Sequence, residues 1–173
     1  YVSRGGLKLA KAIDSFQIDF RAKTVIDIGA STGGFVDCAL QNGAAKVYAV
    51  DVGHNQLAWK LRSDPRVIVL EKTNARYIDQ SIITDMADII SADVSFISMP
   101  LAISAAVCRL LRPMGEVVAL IKPQFEAGRA AVGKGGIVRD RSVHREVLHN
   151  VLADLTAMGL GLQGLDYSPI TGA

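Results

Sequence analysis

The sequence predicts an α/β protein built on a doubly wound, mostly parallel sheet, and three observations carry that prediction. Strand-like apolar runs alternate with helix-like segments along the whole chain, a pattern that builds parallel sheets with right-handed crossovers. Half of the 173 residues are hydrophobic but only 6% are aromatic, so Val, Ile, Leu and Ala must form the core, as in helices packed on a parallel sheet. Charged residues stand at or near the ends of the strand-like runs.

The chain begins with an amphipathic helix, predicted over residues 6–16. Leu7, Ala10, Ile13 and Phe16 recur at the spacing of one helical face and form its apolar stripe. The next apolar runs, separated by polar residues and glycine, predict strands that alternate with helices. In chain order these are a strand at 24–28, a helix at 33–42, a strand at 46–50, a helix at 55–62 and a strand at 66–70.

The second half of the chain continues the alternation. In chain order we expect a strand at 86–92, a helix at 101–111, a strand at 116–121, a helix at 142–158 and the start of a sixth strand at 161–166. The Pro-Met-Gly sequence at 113–115 ends the strongly apolar helix before it, and Ser142 is predicted to cap the last helix. This length fits one domain with a substantial core.

Four charged residues fall where predicted strands end, namely Asp27, Asp51, Asp93 and Lys122. The carboxyl ends of parallel strands meet at one edge of the sheet, and doubly wound folds bind their ligands there. We therefore expect these side chains to surround one ligand site.

Residues 27–35, Asp-Ile-Gly-Ala-Ser-Thr-Gly-Gly-Phe, predict a loop that binds a nucleoside. Gly29, Gly33 and Gly34 let the backbone turn sharply and approach a ligand closely, and the helix that follows offers its N-terminal amides. Asp51, about 20 residues further on, is placed to accept hydrogen bonds from two ribose hydroxyls.

S-adenosylmethionine is the cofactor that best fits this loop. Asp27 stands before the first glycine, where it can reach the ammonium group of a methionine moiety and would repel a pyrophosphate. A dinucleotide loop would read Gly-x-Gly-x-x-Gly, whereas residues 29–34 read Gly-Ala-Ser-Thr-Gly-Gly, and no Gly-Lys-Ser/Thr follows to make a P-loop. An alternative for this loop is a tight strand–helix turn that binds no ligand, with Asp27 as a helix-capping acid. Asn74, after the third strand, is predicted either to hydrogen-bond the edge of an adenine or to be an ordinary turn asparagine. The predicted cofactor contacts are Asp27, Gly29, Ala30, Ser31, Thr32, Gly33, Gly34, Phe35, Asp51, Val52, Asn74 and Asp93.

Together these segments resemble the TlyA, or hemolysin A, family of FtsJ-like ribose methyltransferases. Besides the glycine loop, the resemblance rests on Tyr-Val-Ser-Arg-Gly-Gly at 1–6, Asp-Val-Ser-Phe-Ile-Ser at 93–98, Lys-Pro-Gln-Phe-Glu-Ala-Gly-Arg at 122–129 and Gly-Lys-Gly-Gly at 133–136. It implies a Rossmann-like class I S-adenosylmethionine-dependent methyltransferase that acts on ribose 2′-hydroxyls of ribosomal RNA in the bacterial cytoplasm. Two cysteines without disulfide spacing agree with a reducing compartment. Residues 1–173 are interpreted as the methyltransferase domain, incomplete at its C-terminal end, with an S4-type RNA-binding domain expected ahead of it.

The Lys-Asp-Lys-Glu catalytic tetrad of FtsJ-like enzymes maps, by this resemblance, onto Lys8, Asp93 and Lys122. Its glutamate is expected after residues 168–170, beyond this sequence. Methyl transfer from a sulfonium is an in-line displacement, and an attacking hydroxyl benefits from losing its proton. A lysine can act as a base only if its pKa falls, through desolvation or a cationic neighbour, so we assign Lys122 as the base, Asp93 as the residue that orients it and Lys8 as positioning or electrostatic support.

The expected acceptor is a hydroxyl of RNA. Amine methyltransferases place an Asn/Asp-Pro-Pro-Tyr/Phe element after the fourth strand, whereas residues 93–96 read Asp-Val-Ser-Phe without prolines. Phe96 is predicted either to stack on a base or to pack in the core. The net charge is only +2, so RNA binding depends on where the basic residues lie; the segment 128–141 is basic and glycine-rich. The predicted RNA contacts are Arg4, Lys11, Lys60, Arg62, Arg129, Lys134, Arg139 and Arg141.

Two other interpretations stay open. The incomplete tetrad is compatible with a module that binds S-adenosylmethionine or RNA without catalysis. The hemolysin name suggests a membrane-active protein, although no run reaches the roughly 18 apolar residues of a membrane span. The three histidines lack the spacing of metal ligands, so no metal is expected.

Overall fold

The computed structural model describes residues 1–171, with only the backbone at Arg129. Its strands are β1 Thr24–Ile28, β2 Lys46–Val50, β3 Val67–Leu70, β4 Ala87–Ala92 and β5 Leu111–Ala119. Its helices are α1 Gly5–Phe16, α2 Gly34–Gln41, α3 Trp59–Arg62, α4 Met99–Leu110, α5 Pro123–Glu126 and α6 Arg141–Ala157. Two 3-10 turns cover Ala75–Tyr77 and Arg129–Ala131.

The strands pair in parallel in the order β3-β2-β1-β4-β5. The chain therefore runs outward from β1 to β3 in one direction, then returns to β4 and continues to β5 in the other. This confirms the predicted doubly wound α/β fold. The strand order reverses between β1 and β4, and in such sheets the crevice at that reversal is where ligands bind.

Each central strand buries side chains on both faces of the sheet. In β1, Val25 belongs to the core that contains Leu9 of α1, whereas Ile26 belongs to the opposite core, which contains Ile103 of α4. All of these side chains are fully buried. Burial of a large aliphatic side chain contributes about 1.5–3 kcal/mol, so the two cores hold the sheet rigidly between helical layers.

Helix α1 is held close to the start of α2. A Cβ on Gly34 would lie 2.7 Å from the Gly6 nitrogen, so the two helices approach through glycine. The carboxylate of Asp37 is 3% exposed and accepts a hydrogen bond from the Val2 nitrogen at 2.8 Å, which fixes the segment before α1. This packing brings the first turn of α1, with Lys8, to the glycine loop.

The apolar stripe predicted for α1 is wrong in part. Leu7 and Phe16 are 46% and 37% exposed, whereas Leu9 is fully buried. The helix turns its Gly6 and Leu9 side inward: the Gly6 backbone lies against Gly34 at the start of α2, and a Cβ on Gly6 would collide with the Tyr1 ring. A hydrophobic pattern detects apolar side chains, so it cannot detect a helix face that is buried through contacts of glycine backbone.

The helix predicted over 55–62 is shortened to Trp59–Arg62. Asn55 adopts a φ of 54°, and the Gln56 nitrogen donates to Glu71 at 3.3 Å, so this segment is held in a loop. The predicted cap of the last helix is also wrong, because the N-cap is Asp140 rather than Ser142. The Asp140 carboxylate accepts from the nitrogen of Ser142 at 2.8 Å.

The fifth strand begins earlier than predicted and the sixth is not formed. In β5 the register skips from Leu111 opposite Ala87 to Glu116 opposite Ile89, so the Pro-Met-Gly sequence lies in a bulge of the strand. Residues 161–166 form no strand. Asp166 instead accepts a hydrogen bond from Ser15 of α1 at 2.9 Å, which ties this segment to the first helix.

Candidate active site

A cleft of about 250 Å³ opens at the carboxyl ends of β1 and β4, at the reversal of strand order. It is lined by Ser3, Gly5, Lys8, Gly29, Ala30, Ser31, Thr32, Gly34, Phe35, Asp93, Ser95 and Lys122. Most of the predicted cofactor loop and all three predicted catalytic residues thus share one cavity. The predicted cofactor residues outside this lining are Asp27, Gly33, Asp51, Val52 and Asn74.

The glycine loop is fixed between β2 and β4 by backbone contacts. Gly29 has a φ of 83°, and a Cβ on it would lie 2.9 Å from the carbonyl oxygen of Asp93. The nitrogens of Gly29 and Ala30 both donate to the carbonyl of Val50, at 2.9 and 3.1 Å. Helix α2 follows at Gly34 without a side-chain cap, so its first amides are available to a polar ligand.

Asp27 lies in β1 directly before the glycine loop and is only 1% exposed. One carboxylate oxygen accepts from Ser91 Oγ at 2.6 Å, and the other has no hydrogen-bond partner among the described residues. Burial raises the pKa of Asp27 to about 7; the Ser91 hydrogen bond opposes this shift, and the charges of Asp93 and Asp51 add to it. Among the described residues, therefore, no basic side chain forms a salt bridge with this buried acid.

Asp51 follows β2 and joins the two loops on either side of it. Its Oδ2 accepts from the Ser31 nitrogen and its Oδ1 from the Gly53 nitrogen, each at 2.7 Å. A carboxylate oxygen can accept a second hydrogen bond, so Asp51 keeps acceptor capacity while it orders the glycine loop.

Val52 directly follows Asp51, and Asn74 lies after the end of β3. Val52 is 72% exposed. The Asn74 side chain accepts from the Arg76 nitrogen at 3.1 Å and caps the first 3-10 turn. The turn role of Asn74 is thus observed, and contact of either residue with an adenine stays a prediction.

Lys8, Asp93 and Lys122 form one charged cluster in the cleft. Lys8 Nζ donates to Asp93 Oδ2 at 2.8 Å. Lys122 Nζ lies 2.7 Å from Asp93 Oδ1, at an angle outside hydrogen-bond geometry, and donates to Ser95 Oγ at 2.8 Å. The side chains of the three charged residues are 17% or 18% exposed, so solvent screens them only weakly.

The cluster holds an ionised carboxylate between two lysines. Burial raises the pKa of Asp93, but the close ion pair with Lys122 and the hydrogen bond and charge of Lys8 outweigh that effect and lower the pKa below its ordinary value. Two ammonium groups then share one negative charge, which leaves an excess of positive charge in the cleft. The cleft therefore presents two amine nitrogens held beside one buried carboxylate.

Residues 95 and 96 add two features to this site. Sequence reasoning missed Ser95 as a partner of Lys122, although its place two residues after Asp93 was a usable signal. Phe96 is 92% exposed with a φ of 66°, and its ring lies 5.1 Å from that of Phe125. The core-packing alternative for Phe96 is therefore wrong, and the fold holds a bulky ring outward in a costly backbone conformation.

The predicted RNA contacts divide into paired and unpaired residues. Ion pairs join Lys11 to Asp166 at 2.8 Å, Lys60 to Asp37 at 3.5 Å and Arg62 to Glu71 at 2.6 Å. Four of the predicted contacts are exposed and form no salt bridge within the described part of the chain, namely Arg4, Lys134, Arg139 and Arg141. The side chain of Arg129 lies outside the described residues.

Helix α6 carries a basic stripe that sequence reasoning did not single out in full. Arg141, Arg145 and His149 are exposed and lie four residues apart, so they share one helical face. Successive members of such a stripe are about 6 Å apart along the helix axis. The helical spacing was the signal that could have added Arg145 and His149 to the predicted surface.

The fold and the cleft define a class of protein. A parallel sheet with a glycine loop after its first strand and an acid after its second is the Rossmann-like, nucleoside-binding arrangement. The lysine–aspartate–lysine cluster places charged side chains in the same cleft. The FtsJ-like methyltransferase model matches residues 1–173, and the chain belongs to that family. The resemblance inferred from the motifs is confirmed.

Relatives agree across nearly the whole chain. YqxC of Bacillus subtilis is 56% identical over 173 residues, which cover 99% of this chain and 61% of that protein. The 16S/23S rRNA (cytidine-2′-O)-methyltransferase TlyA of Mycobacterium tuberculosis is 43% identical over 172 residues, 99% of this chain and 64% of that protein. The chain thus spans less than two thirds of the length of either relative.

A solved structure shows the same fold. The Lactococcus lactis protein, which carries a hemolysin name, superposes with a TM-score of 0.96 at 52% identity, covering 100% of this chain and 83% of that chain. Within residues 1–171, none of the helices has both the length and the apolar character needed to cross a membrane. The same residues contain no group of three or more potential metal-ligating His, Cys, Asp or Glu side chains.

Proposed function

We propose that this chain is the catalytic domain of an S-adenosylmethionine-dependent methyltransferase that acts on ribose 2′-hydroxyls of ribosomal RNA. One observation carries the proposal: the Lys8–Asp93–Lys122 cluster opens into the same cleft as the glycine loop. A methyl donor in the loop and a hydroxyl at the lysines would meet within one cavity. The names of the relatives agree with this chemistry, and TlyA is named as a cytidine-2′-O-methyltransferase.

The residues present fit S-adenosylmethionine. The unpaired, buried oxygen of Asp27 calls for a positive group, which the ammonium of the methionine moiety supplies and a pyrophosphate does not. Asp51 has free acceptor capacity for ribose hydroxyls, and the start of α2 offers amides to polar atoms of the ligand. When bound, the cofactor supplies an electrophilic methyl group on a sulfonium.

The chain's own residues align and deprotonate the acceptor. Asp93 holds Lys8 at one carboxylate oxygen and keeps Lys122 at the other, so both nitrogens have fixed positions. Lys122 takes the proton of the ribose hydroxyl as the hydroxyl oxygen attacks. Lys8 stays bonded to Asp93 and so holds the carboxylate that positions Lys122.

Two features favour RNA as the acceptor. Phe96, three residues after Asp93, presents an exposed ring on which a base could stack. Base–aromatic stacking contributes about 1–3 kcal/mol per base. Exposed, unpaired Lys134 and Arg139 continue into the α6 stripe and provide a track for phosphates.

The deciding experiment measures tritiated methyl transfer from S-adenosylmethionine to isolated ribosomal subunits by the full-length protein. We expect label on a ribose 2′-oxygen, and loss of that label in the Lys122→Ala variant with cofactor binding retained. Cofactor binding without any incorporation by the wild-type protein would leave only a binding module and overturn the proposal.

A further inference from the structure

Two short segments carry the two cluster residues that are not on α1, Asp93 and Lys122. Residues 93–98 follow β4 and contain Asp93, and residues 122–126 follow β5 and contain Lys122. The strands bring the starts of these segments together, because the Leu120 nitrogen donates to the Ala92 carbonyl at 2.9 Å. Beyond that bond the sheet no longer fixes them, so other contacts must set the position of the Lys122 nitrogen.

The far ends of the two segments are joined by Glu126. Its Oε1 accepts a hydrogen bond from the nitrogen of Met99, the first residue of α4, at 2.7 Å. Ser98, the N-cap residue of α4, makes no side-chain cap of its own. A carboxylate from α5 therefore caps α4, where a negative charge also interacts favourably with the helix dipole.

Other contacts between the same segments surround this bond. Phe125 packs on Phe96 with ring centroids 5.1 Å apart, and Lys122 Nζ lies 5.9 Å from the centroid of the Phe125 ring. Lys122 also donates to Ser95. Helix α5 contains only four residues, too few for a helix to be stable without such contacts.

We propose that Glu126 is a positioning residue for Lys122, an inference that rests on the proposed function. By capping α4, it anchors the end of α5 and fixes the turn that starts at Lys122, so the lysine nitrogen stays between Asp93 and Ser95. Glu126 does not line the cleft, and the oxygen that bonds Met99 is committed to that bond. It therefore acts through Lys122 rather than on the substrate.

The test compares Glu126→Ala, Glu126→Gln and a matched control in the full-length protein. The control is Asp88→Ala, because Asp88 likewise accepts from a backbone nitrogen, that of Thr24 at 2.8 Å, but does so at the opposite end of the sheet. Each variant is assayed for methyl transfer against pH at a temperature where it is fully folded.

We expect Glu126→Ala to lower kcat by about tenfold to a hundredfold, the scale expected for a misplaced catalytic group, with little change in KM for S-adenosylmethionine. The inflection of its pH–rate profile, which reports the base, should also shift. Glu126→Gln keeps an acceptor oxygen and should recover most of the rate, and Asp88→Ala should leave kcat and the profile unchanged. An unaltered profile in Glu126→Ala, or an equal effect in Asp88→Ala, would show a structural role only.

A second readout separates this inference from the proposed function. The 13Cε resonance of Lys122 reports the surroundings of its amine without any turnover. We expect Glu126→Ala to move this resonance and Asp88→Ala to leave it in place. If the wild-type protein transfers no methyl group, the proposed function fails, whereas an unmoved Lys122 resonance in Glu126→Ala overturns the positioning role itself.

Discussion

Lys8 and Asp93 are 85 residues apart in sequence and are joined by a 2.8 Å hydrogen bond between Nζ and Oδ2. This bond ties the first helix to the end of the fourth strand. Because α1 also packs on α2 through glycine, the helix forms one wall of the cleft and contributes a charge to it. The segment before the sheet is therefore part of the candidate active site.

A double-mutant cycle of Lys8→Met and Asp93→Asn should show strong coupling. Both side chains are 17% exposed, so we expect a coupling energy of about 1–3 kcal/mol in the free energy of unfolding near neutral pH, measured by urea denaturation. The more exposed Lys46–Asp85 pair is the control, and its cycle should give less than about 1 kcal/mol. Equal coupling in the two cycles would contradict the prediction.

The same coupling should disappear in acid. Because the pKa of Asp93 is lowered in the folded protein, its stabilising contribution is present above the unfolded pKa of about 3.9 and is lost as the pH falls through the folded value. Coupling that persists in strong acid would mean that packing rather than charge joins the two residues.

Lys122→Met should abolish most methyl transfer while the protein still binds the cofactor. Methionine keeps the length of the side chain but cannot accept a proton, so we expect kcat to fall by about 10²–10⁴-fold, the usual contribution of a general base. Calorimetry should show unchanged binding of S-adenosylmethionine. The control is Lys23→Met, because Lys23 precedes β1 at the end of the sheet away from the glycine loop, and this variant should remain active. Near-normal turnover by Lys122→Met would show that Lys122 is not the base.

Gly29→Ala should damage the site more than backbone strain alone explains. The new Cβ would meet the Asp93 carbonyl at 2.9 Å, in addition to the cost of a φ of 83°. Gly159 has a φ of 85° with open space around its Cβ position, so Gly159→Ala measures the strain, about 1–2 kcal/mol. We expect Gly29→Ala to cost a further 1–3 kcal/mol or so in urea denaturation and to reduce methyl transfer. Equal losses of stability would argue against the close approach.

The sequence predicted the parts of this site that depend on local pattern. Strand ends placed Asp93 and Lys122 at one edge of the sheet, and the bounds of β1 and β2 were predicted without error. Lys8 entered only through the family resemblance, because a lysine on an amphipathic helix is usually solvated. The bond between Glu126 and α4 and the exposure of Phe96 could not be predicted, since both depend on how two loops pack after their strands have paired.

Arg145→Ala should weaken RNA binding without changing its sequence preference. An arginine that contacts a phosphate releases about one counterion when it binds. The negative slope of log affinity against log salt should therefore become shallower by roughly one in the variant, measured by filter binding of total ribosomal RNA. Arg66 is paired with Asp64 at 2.7 Å, and Arg66→Ala serves as the control with an unchanged slope. An unchanged slope for Arg145→Ala would remove the α6 stripe from the RNA surface.

Asp27 should make the stability of the protein without cofactor depend on pH. Its pKa is raised to about 7 in the folded state, whereas the unfolded pKa is about 3.9. Between about pH 3.9 and pH 7 the folded protein therefore binds more protons than the unfolded one. Stability should therefore fall as the pH rises through this window, by a few kcal/mol in order of magnitude. Urea denaturation should show the decline in the wild-type protein and a smaller one in Asp27→Asn.

The cofactor should respond to the same ionisation with the opposite sign. An ammonium group that pairs with Asp27 favours the carboxylate, so the affinity for S-adenosylmethionine should rise as the pH rises toward about 7 and binding should release a proton. In Asp27→Asn the carboxylate is absent, so affinity should be lower and nearly independent of pH in this range. Calorimetry in buffers of different ionisation enthalpy counts the released proton directly. Equal proton release by the wild-type protein and Asp27→Asn would show that the ammonium is bound elsewhere in the cleft.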